Sequence, residues 1–169
     1  DHDLDISNNA HITALTGDMQ LFGGNRAAGG QTTDDAIHFL GNTTLTALTN
    51  IYLNDDATSA GALTIDADSD NASGGGLTVD KIVAGGQTLD FTADDFAFDE
   101  GINATTIHIR VSDATGIGLG DASLGADLSA DEVERLTSTG VTTFWTGAGG
   151  NIIVGALTDA NTETMNSVV

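Results

Sequence analysis

The sequence predicts an all-β chain wound as a parallel β-solenoid (β-helix), with one short helical insertion near residues 129–137. Three observations carry this prediction. Short stretches with apolar residues at alternate positions recur along the whole chain, as strands do when one face is buried. The corners between them are combinations of Gly, Asn, Asp and Ala-Thr, which supply turn chemistry and leave little room for hairpin ladders. Proline is absent. A chain without it never loses a ladder hydrogen bond to a proline ring, which suits continuous strand stacking.

Taken in order, the expected strands begin with Leu4–Ile6, Ile12–Leu15 and Met19–Phe22, followed by a corner over Gly23–Asp35. Ala36–Leu40, Thr44–Leu48, Ile51–Leu53 and Leu63–Ile65 resume the pattern, then Leu77–Val79, Lys81–Val83 and Thr88–Phe91. Thr92–Gly101 reads as a loop pinned by the rings of Phe96 and Phe98. In Thr106–Val111 the alternation places Ile107, Ile109 and Val111 inside, with His108 and Arg110 outside. Ile117–Leu119, Val141–Trp145, Ile152–Val154 and Gly155–Leu157 complete the set.

The insertion is legible residue by residue. Ser129 and Glu132 form an S-x-x-E capping box, each side chain satisfying a backbone N–H at the helix start. Val133 and Leu136 supply the apolar face, and Leu128 stands where a staple would pack. Thr137, Ser138 and Gly140 are expected to end the helix. No other helix is expected.

An antiparallel sandwich would need longer strands joined by Asn-Gly or Asp-Gly hairpins. A propeller would need a blade-sized period. Neither is present. A solenoid with about 20 to 25 residues per coil would make about seven coils, stacked ~4.8 Å apart. The span 1–169 is therefore read as one solenoid segment.

Composition bounds the function. There are no cysteines, so neither disulfides nor thiolate metal sites are available. Four basic residues against 25 acidic ones give a formal charge of −21, which repels nucleic acid and anionic membranes. No apolar run approaches a membrane-spanning length. The acidity fits a saline or extracellular setting. No leader is visible at the acidic start, and both ends read as strand, so the segment is expected to belong to a longer or polymerised rod. Strand edges left without a cover favour head-to-tail pairing with another copy or with neighbouring repeats.

The order of pieces from Ile117 to Thr158, short apolar strands and glycine-rich corners interrupted by one capped helix, resembles the repeats of filamentous-haemagglutinin-like bacterial surface proteins. The resemblance implies a right-handed parallel β-helix, secreted or displayed on a cell surface, that adheres or builds a fibre. It implies itself, neighbouring repeats or cell-surface glycans as partners.

Candidate chemistry is sparse. Asp66, Asp68 and Asp70 stand at alternate positions, as at the opening of a calcium loop. The EF-hand form then needs glycine and glutamate where Asn71 and Leu77 stand. These three residues are a solvated acidic corner or a calcium site. No other cofactor is called for. Asp94-Asp95 and Asp99-Glu100 flank Phe96 and Phe98, the only hint of a carboxylate pair for glycoside chemistry. Arg26, Lys81, Arg110 and Arg135 are scattered, so an enzyme is not expected. The alternative function is a carbohydrate-binding or carbohydrate-active β-helix. His38 and His108 both alternate with apolar residues and should face outward as solvated side chains.

Overall fold

The computed structural model describes residues 3–23, 36–72, 74–113, 116–120, 124–147 and 149–169. Arg26 and most of the Gly23–Asp35 corner lie outside the described residues. The alternation seen in the sequence becomes alternating burial. In Leu63–Asp66, Leu63 and Ile65 are buried while Thr64 is exposed. Ile107, Ile109 and Val111 are buried and Arg110 is exposed, as the pattern requires.

The strands are β1 (Leu4–Ile6), β2 (Ala10–Ala14), β3 (Met19–Leu21), β4 (Ile37–Phe39), β5 (Thr43–Ala47) and β6 (Ile51–Ser59). They continue with β7 (Leu63–Asp66), β8 (Gly76–Ala93), β9 (Asp95–Phe98), β10 (Ile102–Val111), β11 (Ile117–Leu119) and β12 (Ala126–Leu128). Helix α1 (Ala130–Glu134) precedes β13 (Leu136–Ser138), β14 (Thr142–Trp145), β15 (Ile152–Val154) and helix α2 (Asp159–Thr162). The chain is all-β. Twelve strands form a parallel sheet nearly closed into a barrel-like shape, and β12, β11 and β15 form a second parallel sheet.

Register sorts the large sheet into three lines of stacked residues. Leu4, Ile37, Ala57, Ile82, Ile102 and Leu136 share the first. Ile12, Leu45, Ile65, Phe91, Ile109 and Phe144 share the second. Met19, Ile51, Leu77 and Phe96 share the third. Leu45, Ile65, Phe91 and Ile109 are wholly buried. Each such side chain contributes about 1.5–3 kcal/mol by leaving water.

Corners are interlocked by side chains. Asn8 Oδ1 accepts the backbone N–H of Asn42 at 3.0 Å, and Asn42 Oδ1 accepts that of Ala62 at 3.0 Å. The stacking interval is therefore uneven, 34 residues from Asn8 to Asn42 but 20 from Asn42 to Ala62. The first exceeds the expected 20 to 25. Gly61 is required here, because a Cβ would sit 2.3 Å from the Asn42 nitrogen.

Several expectations are corrected. Leu77–Val79, Lys81–Val83 and Thr88–Phe91 are parts of one continuous strand, β8. The stretch read as a pinned loop contains β9, although Phe96 and Phe98 are buried as expected. The capping box is formed, but α1 stops at Glu134 with Arg135 as its C-cap. Leu136, Thr137 and Ser138 belong to β13, because parallel pairing with Ile102, Asn103 and Ala104 of β10 outcompetes another helical turn. A second helix, α2, was not expected, and Gly155–Leu157 is not a strand.

Candidate functional site

The second and third lines meet at a corner that three successive strands enter in the same way. Ile65 and Asp66 pair with Phe91 and Thr92, which pair with Ile109 and Arg110. The segments Leu63–Asp68, Leu89–Asp94 and Ile107–Ser112 are thus superposed, and each ends in a polar side chain at the bend. The backbone ladder continues through the corner, with Ala67 N–H donating to Thr92 and Ser112 N–H donating to Ala93, both at 2.9 Å.

Asp68 is 1% exposed. Its Oδ2 accepts from the Ser112 hydroxyl at 2.6 Å, whereas its Oδ1 is buried without a hydrogen-bond partner. Asp94 is similarly divided. Its Oδ2 accepts the Gly74 N–H at 2.7 Å, and its Oδ1 is buried without a partner. Burial pushes the Asp68 carboxyl above its ordinary range, against the Ser112 hydrogen bond, and the charges of Asp94 and Asp70 add to the rise. Burial likewise raises Asp94, against the Gly74 bond, with Asp113 adjoining the same carboxyl.

The three residues singled out in the sequence are therefore divided by the fold. Asp66 lies on the strand, its Oδ1 taking the Asp68 N–H at 3.4 Å. Burial raises its carboxyl, while that hydrogen bond and the charge of Arg110 pull it back. Asp70 caps the following turn through the Ala72 N–H at 3.1 Å and faces Asp68. Among the described residues, no three acidic or histidine side chains already converge on one point as ligands of a metal ion. Asp94 and Ser112 are the partners that sequence reasoning missed. Their signal was present as the aligned runs LTIDAD, LDFTAD and IHIRVS, each closing on a polar residue.

The outer face of the second line holds the other cluster. Thr46, Asp66, Thr92, Arg110 and Trp145 stack along one row, and Thr44, Thr64, Asp90, His108 and Thr143 along the next. The His108 and Trp145 rings lie 4.8 Å apart, and the Arg110 guanidinium sits 5.2 Å from the indole centroid. His108 is half-buried rather than freely solvated, with its Nδ1 buried and unpartnered. His38 stands in the first line, where Nδ1 meets Thr58 Oγ1 at 2.8 Å and Nε2 lies 3.6 Å from Asp3. The two histidines are not brought together. Lys81 pairs with Asp56 at 2.7 Å and lies 3.9 Å from Glu100, and Arg135 donates to the Phe98 carbonyl. Asp99 and Glu100 are exposed.

A scan against protein-family models finds no match, and searches of curated proteins and of solved structures find none either.

Proposed function

We propose that this chain is a right-handed parallel β-solenoid segment of an extracellular structural or adhesive rod, extended end to end through parallel strand pairing. Three lines of parallel strands joined by short corners support the winding. Crossovers between parallel strands of one sheet are right-handed in about 98% of cases, which supports the hand.

The observation that carries the reading is an open strand edge. Among the described residues β15 pairs only with β11, and Ile152, Ile153 and Val154 are 48%, 45% and 60% exposed. At the other end, among the described residues, β1, β2 and β3 each pair on one side only. An unpaired edge carrying three consecutive apolar side chains is a template for another strand. A head-to-tail contact between unlike edges repeats as a filament unless its rotation closes a ring.

The test is light scattering with electron microscopy at micromolar concentration in moderate salt, where the self-repulsion of a −21 chain is screened. The expected result is concentration-dependent filaments, lost when Ile153 is replaced by Lys. A monodisperse monomer with native circular dichroism at every concentration would overturn the reading.

A further inference from the structure

We infer that the open end seats a second copy of this chain in one register, with β3 of the next copy on β15 and its β2 on the strand at Val168. The inference rests on the reading of the chain as an end-to-end rod and names the surfaces that meet. It begins from the depth of the three lines. Met165 bridges to Ser138 of β13 and Val168 to Thr142 of β14, so a further rung begins in the first and second lines. The third line runs through β3, β6, β8 and β9. It continues with β12, whose Asp127 N–H bonds the Asp95 carboxyl of β9, and then with β11 and β15. Among the described residues each line is therefore seven rungs deep, and the stack ends level.

In the third line the backbone groups of the two ends are complementary. Ile117 N–H donates to the Asn151 carbonyl at 2.9 Å and Gly155 N–H to that of Leu119 at 2.7 Å. Asn151, Ile153 and Gly155 thus turn their peptide groups toward β11, and Ile152 and Val154 turn theirs outward. On β3, Met19 N–H donates to the Asn50 carbonyl at 2.8 Å, which leaves Gln20 as the outward residue. Gln20 stacked on Ile153 gives its N–H to the Ile152 carbonyl and takes the Val154 N–H. The same placement sets Met19 over Ile152 and Leu21 over Val154. All four then lie on the core side, because Ile152 and Val154 stand in register with buried Ile117 and Leu119. A slip of one residue would turn these apolar side chains to the wrong face.

The second line agrees independently. Ala10 and Val168 stand at the two ends of one row that passes through Thr43, Leu63, Leu89, Ile107 and Thr142. Thr142 N–H donates to the Ser167 carbonyl at 2.8 Å and Val169 N–H to that of Thr142 at 2.9 Å, so Val168 directs its peptide groups outward. Thr43 N–H donates toward β7, so Thr44 faces β2 and His11 is outward on the free edge of β2. Continuing the row sets Ala10 of the next copy over Val168, and its His11 N–H at the Val168 carbonyl. Val168 is 47% exposed, and Ala10 and Ile12 are only partly buried, so both ends lack a cover for their core row. Met165 is already buried, so the contact is carried by the second and third lines.

The chain has no cysteine, so thiols can be placed singly. Full chains carrying Gln20→Cys are mixed with chains carrying Ile153→Cys in moderate salt and treated with a short bismaleimide, which spans neighbouring strands ~4.8 Å apart. A second matched mixture pairs His11→Cys with Val169→Cys, and a mismatched one pairs His11→Cys with Ile153→Cys. All four positions are exposed, and circular dichroism checks each fold. If one matched variant fails to fold, the other mixture decides. The expected result is cross-linked dimer in both matched mixtures, roughly tenfold above the mismatched one, because docking raises the effective thiol concentration. Equal dimer from Ile153→Cys alone would mean that two like edges meet, and would overturn the inference. Filaments in electron micrographs with no excess over the mismatched mixture would overturn this register and leave the end-to-end reading standing. Absence of any assembly would overturn both.

Discussion

A carboxyl whose pKa burial raises binds its proton more tightly in the folded chain than in the unfolded one. Burial is the leading cause of the raised pKa at Asp66, Asp68, Asp80, Asp94 and Asp95. For such groups the stabilising contribution is complete below the unfolded value, 3.8, and is lost as pH climbs through the higher folded value. Asp18 has the opposite sign. The Thr49 hydroxyl and the Asn50 side chain and backbone N–H bond its carboxylate and lower its pKa, so its contribution is lost only at more acidic pH. Lowering the pH from neutral toward the unfolded value, 3.8, without divalent cations should therefore raise the contribution of these groups to stability, and with it the Tm. Asp68→Asn, which removes one charge of the corner pair, should flatten that rise. Thermal melts across this range check it, and a wild-type Tm that falls over the same interval would count against the buried-carboxylate account.

Helix α1 shows how a five-residue element is held. Glu132 Oε2 accepts from both the N–H and the hydroxyl of Ser129, at 2.9 and 2.8 Å. Its Oε1 accepts the Phe98 N–H of β9 at 3.2 Å. One side chain thus closes the cap and satisfies a strand amide from the core sheet. Glu132→Ala should cost about 1–2 kcal/mol, or roughly 2–8 °C in Tm. Asp131→Ala, one residue earlier in the same turn, should cost less, since it removes only a charge near the helix start. Equal losses in melts of the two variants would show that the Phe98 contact contributes nothing.

The molecule carries 25 acidic and four basic residues. Lys81 pairs with Asp56 and Glu100, but four basic side chains cannot offset 25 acidic ones. Self-repulsion is therefore a property of the whole surface, and screening should relieve it. The Tm should rise by a few degrees between about 0.02 and 0.5 M sodium chloride in chelator, without saturating as a bound ion would. A flat response there would mean that the charge is already neutralised. The same screening should favour the proposed end-to-end assembly, because two copies of a chain of charge −21 carry the same sign.

Local chemistry was enough to read the alternating strands, the polar corners and the capping box. Ile109 is buried because its neighbours His108 and Arg110 are polar, and Ser129 caps because Glu132 lies three residues on. Each of these depends on contacts within a turn or along one strand. The tertiary structure decided whatever depends on a partner 19 to 44 residues away. Leu136 left the helix for a place beside Ile102, and Phe96 joined a strand beside Leu77. Register also divided Asp66, Asp68 and Asp70, setting Asp68 beside Asp94 and under the Ser112 hydroxyl. A period-two pattern states which face of a strand is inside, but parallel strands joined by corners of unequal length can stack in several registers. Only the packed chain selects one, and with it which carboxylates share a corner.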